Sequence, residues 1–192
     1  MKSKFKKENY LILNRQPLAG TTFKNWIKVL IENKFKIDWQ FIPKALYVTI
    51  MIIFVTPLRL IEKNKFDEKI KNTKVKEPIF IIGHWRSGTT FLHYLIGQDK
   101  NLGYTSTMET LDPHIFLNYE KLLKKIVSNS LPKKRPMDNL EMEINLPYEE
   151  EYAIANICPY SFYHAWYFPR SIDRYLKRDI LYEDVGKDVL KE

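Results

Sequence analysis

The chain has 192 residues, 45% of them hydrophobic, and a formal net charge of +8. This length suits one ordinary domain with a sizeable core, and the apolar content excludes a largely disordered chain. The single cysteine, Cys158, excludes a disulfide framework and a cysteine-based metal site, and we expect a cytoplasmic location.

The basic charge is concentrated in residues 1–77, which carry 17 Lys or Arg and 7 Asp or Glu. Aromatic residues are interleaved with lysines over 23–42, without a recognisable nucleic-acid-binding motif. A basic stretch beside an apolar one is attracted to anionic surfaces. The arm therefore predicts contact with the cytoplasmic face of a membrane and no nucleic-acid partner.

Two helices are predicted in this arm. Gly20–Thr22 precedes a helix over about 23–36, because threonine is a good N-cap. The uncharged segment 45–58 has 14 residues, fewer than the roughly 20 that span a bilayer. Its length leaves open an interfacial membrane helix, a helix docked on protein and a membrane span. Residues 63–77 are interpreted as a charged linker.

The stretch 78–96 predicts a strand, a glycine loop and a helix. Ile79–Ile82 is a continuous apolar run, typical of a parallel strand covered on both faces. Apolar residues at helical spacing predict a helix over about 88–98. Unpaired backbone N–H groups at such a helix start bind phosphate or sulfate, and the helix dipole adds to the attraction.

The loop has the spacing of a P-loop, Gly83-x4-Gly88-x-Thr90. Nucleotide hydrolases have lysine where this chain has Thr89. The nearest cation is Arg86, whose rigid fork of donors suits an oxyanion. Gly88 permits close approach to the backbone, and the two threonine hydroxyls add donors. The loop therefore predicts anion binding without the arrangement of an ATPase.

Further elements are predicted downstream of this helix. A turn at 99–103 leads to an extended piece that becomes helical after Pro113, and an amphipathic helix covers 118–131. Another helix begins near Pro147, with the acids Glu149–Glu151 in its first turn, where the dipole favours negative charge.

The motif Arg86-Ser87-Gly88-Thr89-Thr90 after an apolar strand resembles the 5′-phosphosulfate-binding loop of sulfotransferases, which use 3′-phosphoadenosine 5′-phosphosulfate (PAPS) as sulfuryl donor. Further blocks over about 40–170 resemble, in the same order, a bacterial subfamily of the P-loop type: GHWRSGTTFLHYL, GYTSTMETLDPHIF, RPMDN, PYEEEYAIAN and PYSFYHAWYFPR. The resemblance implies a helix-rich α/β fold, a P-loop-type parallel sheet flanked by helices. The basic helical arm, residues 1–77, would precede the sulfotransferase part, residues 78–192.

The resemblance also implies the donor-binding residues. They are Arg86, Ser87, Gly88, Thr89 and Thr90, with Arg86 stabilising the charge that develops during transfer. No metal is implied, and the sequence contains no metal-ligand cluster.

A general base must take the proton of the acceptor hydroxyl. Glu109 lies about where some relatives carry a glutamate base, whereas Glu149 and Glu151 match the acidic block of the closer subfamily. Two residues apart on a helix, these two acids point in different directions, so only one is expected in the site. All three have an ordinary alternative, as a solvated loop acid or as helix-start charge. His84 and Arg135 are further candidates for the pocket and the substrate cleft.

Sulfotransferases of this kind hold the 3′-phosphate of the donor with an arginine and a serine after a later strand. No such segment is evident before Glu192, so we expect a truncated sheet and the N-terminal portion of an enzyme. Its acceptor would be a hydroxyl on a small molecule or a lipid. A P-loop small-molecule kinase and a non-catalytic membrane-surface protein remain alternatives.

Overall fold

The computed structural model describes residues 16–84, 86–128, 131, 134, 140–183 and 185. The α-helices are α1 Phe23–Glu32, α2 Ile42–Lys71, α3 Thr89–Ile96, α4 Thr107–Leu111, α5 Glu120–Ser128, α6 Glu151–Ile157, α7 His164–Tyr167 and α8 Ile172–Tyr175. Short 3-10 turns cover Pro17–Gly20, Trp39–Phe41 and Pro169–Ser171, and a π-helical turn covers Leu176–Ile180. Arg135 lies outside the described residues.

Two compact units divide the chain. The first comprises residues 1–54 and 151–192, and the second comprises residues 55–150. Among the described residues, strand-type pairing is limited to isolated bridges, Ser106 with Pro147 and Lys134 with Glu141. The parallel sheet and the division at residue 77 therefore stay predictions.

The first unit has a core between α1, α2 and the C-terminal helices. The predicted N-cap is confirmed, because the Thr22 hydroxyl accepts the Asn25 N–H at 3.2 Å. The helix ends at Glu32, four residues earlier than predicted. The core contains these buried residues: Leu18, Trp26, Val29, Leu30, Val48, Ile52, Ala155, Phe162, Ala165, Phe168 and Tyr175.

A histidine is enclosed in the same unit. His164 is fully buried, with Nδ1 3.1 Å from the carbonyl oxygen of Pro159 and Nε2 3.0 Å from that of Ala155. Burial lowers the pKa of His164, and the two carbonyl oxygens oppose this effect. A neutral imidazole has one N–H, so only one of these contacts is then a hydrogen bond.

Helix α2 is longer than the sequence predicts. It contains the uncharged segment 45–58 and continues to Lys71, through most of the predicted linker. Lysine and glutamate are good helix formers, and Lys71 pairs with Asp67 one turn earlier at 2.7 Å. Of the described residues, the helical segment Trp39–Lys71 is long and apolar enough to cross a membrane. The core helix of a soluble protein can have the same length and composition, so this is weak evidence for a span.

The second unit packs the C-terminal part of α2 against α4 and α5. Its core residues are Met108, Ile115 and Leu123, joined by Val55, Leu58, Phe116, Tyr119 and Ile144. Arg59 forms an ion pair with Asp112 at 3.1 Å, with both side chains at least nine-tenths buried. Burial raises the pKa of Asp112 to about 6, against the opposing effect of Arg59.

Helix α4 lies where an extended segment was predicted, and turns follow Pro113. A capping box explains its position. The Ser106 hydroxyl accepts the Glu109 N–H at 3.4 Å, and Glu109 Oε2 accepts the Ser106 N–H at 2.6 Å. Helix α6 begins at Glu151, later than predicted, because Pro147 instead bridges to Ser106.

The apolar run Ile79–Ile82 belongs to residues 73–84, which form no regular element in the structure. Phe80 and Ile82 are 77% and 92% exposed. The segment enters the glycine loop directly.

Candidate functional site

The loop before α3 has an unusual backbone. Gly88 is the N-cap of the helix with φ 94°, and Arg86 has φ 68°. Such values suit glycine and are uncommon for arginine. The Ser87 N–H donates to the His84 carbonyl at 3.1 Å, and the Leu92 N–H donates to that of Gly88 at 3.0 Å. The predicted helix start near residue 88 is confirmed.

The loop folds back over Gly83. A Cβ atom added to Gly83 would lie 2.6 Å from Ser87 Oγ and 2.7 Å from Thr89 Cγ2. Both separations are shorter than real Cβ contacts, so a side chain at this position would force the Ser87 or Thr89 side chain to move.

The concave loop is accessible. Arg86, Ser87 and Gly88 are exposed, whereas Thr89 and Thr90 are half-buried. The first N–H groups of α3 have no partner within the helix, and the helix dipole places partial positive charge at this end. The predicted donor-loop residues are therefore adjacent at one helix N-terminus, and this arrangement can bind an oxyanion.

Glu109 lies at an open cleft of the second unit. The cleft has a volume of about 410 Å³ and is lined by Tyr104, Ser106, Met108, Glu109, Phe116, Leu117, Glu120 and Asn145. The carboxylate of Glu109 is half-buried, and one oxygen is held by the Ser106 N–H. Tyr104 donates from its hydroxyl to the Asn145 carbonyl at 3.0 Å, which positions this ring in the wall.

Helix α3 connects the loop with this cleft. A Cβ on Gly97, at the C-terminal end of α3, would lie 3.1 Å from Tyr104 Cδ1 and 2.9 Å from Pro147 Cγ. The His93 and Tyr104 rings meet edge to face at 6.4 Å. At about 1.5 Å rise per residue, the eight residues of α3 separate the loop from the cleft wall by about 12 Å along the helix axis.

The other two predicted acids occupy different surroundings. Glu149 is half-buried in the second unit and precedes α6, so the two acids do not share a helix as predicted. Glu151 opens α6 in the first unit and accepts the Ser161 hydroxyl at 2.6 Å. His84 is exposed beside the loop. The catalytic roles of these residues stay predictions.

Sequence reasoning identified Glu109 but not the cleft around it. The block GYTSTMETLDPHIF contains five of the lining residues, whereas Leu117, Glu120 and Asn145 lie outside the quoted blocks. The Ser-x-x-Glu spacing of Ser106 and Glu109 was a further readable signal, for the capping box. Within the described ranges, no three His, Cys, Asp or Glu side chains are grouped closely enough to hold a metal ion.

A family model described as the sulfotransferase family matches residues 78–183, which include the loop and the cleft. The chain belongs to the sulfotransferase family. The family resemblance of the loop and the later blocks is thereby confirmed.

Two curated relatives of this sulfotransferase chain are the proteins named omega-hydroxy-beta-dihydromenaquinone-9 sulfotransferase Stf3 from Mycobacterium bovis (strain ATCC BAA-935 / AF2122/97) and from Mycobacterium tuberculosis (strain CDC 1551 / Oshkosh). Each is 36% identical over 139 residues, which are 70% of this chain and 34% of the relative. The match thus spans about a third of the length of these relatives. No solved structure matches.

Proposed function

We propose that this chain provides the donor loop of a sulfotransferase that moves a sulfuryl group from PAPS to a hydroxyl acceptor. The observation that carries the proposal is the loop from Gly83 to Thr90, folded tightly over a glycine and open to solvent, in a chain of this family.

The residues of the loop fit a phosphosulfate group. Gly83 and Gly88 keep the cradle free of side chains, and the backbone N–H groups of Gly88 and Thr89 would donate to the group's oxygens, whereas the Ser87 N–H already donates to the His84 carbonyl. Arg86 would add the planar pair of charged donors that a guanidinium group presents to an oxyanion. When bound, PAPS supplies the activated sulfuryl group. Fixed donors of this kind stabilise developing negative charge without reorganising, which is the main way a protein speeds group transfer.

Glu109 is our proposed acceptor of the proton from the attacking hydroxyl. Its carboxylate lines the cleft, and the Ser106 N–H fixes its direction through one oxygen at 2.6 Å. Glu149 and Glu151 remain candidates from the sequence, although the carboxylate of Glu151 is already engaged by Ser161. A base must reach the hydroxyl it deprotonates, so this role requires an acceptor whose hydroxyl lies between the Glu109 carboxylate and the donor loop.

The acceptor is proposed to be a hydroxyl on a small molecule with a substantial apolar part, such as a lipid. Met108, Phe116 and Leu117 give the cleft an apolar wall beside the carboxylate of Glu109. Such a combination binds an apolar body and orients one polar group. The names of the relatives describe a hydroxylated dihydromenaquinone acceptor, and this supports the same class of acceptor here.

The proposal is tested by titrating the chain with 3′-phosphoadenosine 5′-phosphate. Binding is the readout because the chain matches only 34% of each relative. Arg86→Ala should weaken binding about tenfold to 150-fold, since a hydrogen bond to a charged group contributes about 1.5–3 kcal/mol. The matched control is Arg170→Ala, which removes an exposed arginine paired with Asp38 in the first unit.

Thermal unfolding of both variants checks that they fold. Equal affinities of wild type and Arg86→Ala would contradict the donor-loop assignment. Tight, magnesium-dependent ATP binding would instead favour a small-molecule kinase, because such enzymes need both.

A further inference from the structure

Helix α2 has two apolar faces, and one of them packs inside the first unit. Val48 and Ile52 are 1% and 0% exposed and belong to the core with Trp26 and Val29 of α1. The indole N–H of Trp26 donates to the hydroxyl of Thr49 at 3.0 Å. This face of the helix is therefore fixed to protein.

The opposite side of the same helix segment is also apolar but exposed. We call it the outward apolar face: Ile42, Leu46, Ile50, Ile53 and Phe54, each between 45% and 75% exposed. With about 100° of rotation per residue, these five side chains fall within a sector of about 120° that excludes Val48 and Ile52. Single exposed apolar residues are common, whereas a continuous set marks a binding surface.

We propose that the outward apolar face inserts into the headgroup region of an anionic lipid bilayer, with α2 lying parallel to the membrane. The proposal goes beyond the donor loop and does not rest on it.

The charge around this face favours an anionic lipid surface. Residues 16–54 contain five lysines and two acids. Lys44 has its ammonium 5.8 Å from the centre of the Phe41 ring, just before the apolar face begins. Trp39, at the same end, is 82% exposed. Exposed tryptophan, apolar side chains on one face and nearby lysines are typical of helices that lie at the membrane interface.

A parallel orientation follows from the packing of α2. A membrane span would require Val48 and Ile52 to leave the core of the first unit. In the second unit, Glu62 is buried and accepts the backbone N–H groups of Leu117 and Asn118 at 3.0 and 2.9 Å. If this carboxylate moved into hydrocarbon, it would lose both hydrogen bonds and its polar surroundings, which is energetically unfavourable. Within residues 42–54 of α2, the outward apolar face is the side that remains exposed to lipid.

The test is co-flotation of the chain with vesicles of phosphatidylglycerol or of phosphatidylcholine, without any sulfuryl donor. Wild type should float with phosphatidylglycerol, less with phosphatidylcholine, and less in high salt because salt screens the lysines. The triple variant Leu46→Glu/Ile50→Glu/Phe54→Glu should lose at least about tenfold in vesicle partitioning. The control Ile157→Glu/Ile172→Glu changes side chains that are 54% and 47% exposed in the same unit and should bind like wild type.

A second measurement does not depend on the charged variants. An environment-sensitive dye on Ile50→Cys, in a Cys158→Ser background, should shift to the blue with phosphatidylglycerol vesicles, whereas a dye on Ile157→Cys should not. The proposal is overturned if the wild-type chain does not bind the vesicles or if the triple variant binds like wild type. It is likewise overturned if alkaline buffer fails to release the chain from the vesicles, because a membrane-spanning helix resists such extraction. It is also overturned if the face proves to join two copies of the chain that do not bind vesicles. Because no donor is present, none of these outcomes affects the donor-loop proposal.

Discussion

Three glycines near the site allow the loop geometry to be tested one physical cause at a time. Gly83→Ala introduces a steric conflict, because the new methyl group would lie 2.6 Å from Ser87 Oγ and 2.7 Å from Thr89 Cγ2. Gly88→Ala meets nothing within 4 Å but must adopt φ 94°. Gly103→Ala meets nothing within 4 Å and has no such backbone requirement, so it is the matched control.

The expected magnitudes differ accordingly. The serine at 87 can rotate away from the methyl group of Gly83→Ala, but the β-branched Thr89 has few alternative rotamers. Overpacking of this kind costs about 1–3 kcal/mol, which corresponds to a loss of about fivefold to 150-fold in donor affinity if the loop absorbs it. The left-handed conformation costs a non-glycine residue about 1–2 kcal/mol, so Gly88→Ala should lose about fivefold to thirtyfold. Gly103→Ala should stay within about 0.5 kcal/mol of wild type.

The assay is an NMR titration of each variant with 3′-phosphoadenosine 5′-phosphate, with urea unfolding measured in parallel. Binding losses at Gly83 and Gly88 that exceed the losses of unfolding free energy would place the effect in the loop. Wild-type affinity in Gly83→Ala would refute the tight cradle. An equal loss in Gly103→Ala would show that the method reports general damage rather than loop geometry.

Two further predictions concern buried charge. Asp112→Ala leaves the buried guanidinium of Arg59 without its carboxylate and should lower the free energy of unfolding by about 3–5 kcal/mol. The double variant Arg59→Met/Asp112→Leu removes both charges and should unfold with nearly the wild-type free energy. Urea denaturation measures both values, and an equal loss of unfolding free energy in the two variants would contradict the reasoning. Because burial holds the pKa of His164 below 6.5, the unfolded chain binds the proton more readily, so His164 contributes stability above pH 6.5 that is lost as the pH falls through its folded pKa. An NMR titration should show the His164 ring protonating below pH 6.5, and protonation at or above 6.5 would contradict this.

The parts of the fold that follow from the sequence depend on local signals. Thr22 predicts the start of α1 and Gly88 that of α3, because an N-cap acts within one turn. The amphipathic pattern around Glu120–Ser128 likewise predicts α5. The donor loop can also be predicted from a local signal, because its glycines and threonines lie close together in the chain.

The parts that do not follow depend on distant partners. Pro147 pairs with Ser106, and this delays the start of α6. The burial of Arg59 depends on Asp112, which is 53 residues away in the chain. The two faces of α2 are both apolar, so no pattern in the sequence could indicate which of them packs against protein. The cleft around Glu109 likewise joins residues of α4 and α5 to Asn145, which lies 25 residues after Glu120 in the chain.

The apolar run Ile79–Ile82, which belongs to no regular element, has a consequence for the protein in the cell. Uncovered, β-prone apolar segments are what chaperones and proteases recognise in newly made chains, and their open backbone also offers a template for aggregation. Covering this run should therefore lower the capture of the chain by chaperones and proteases.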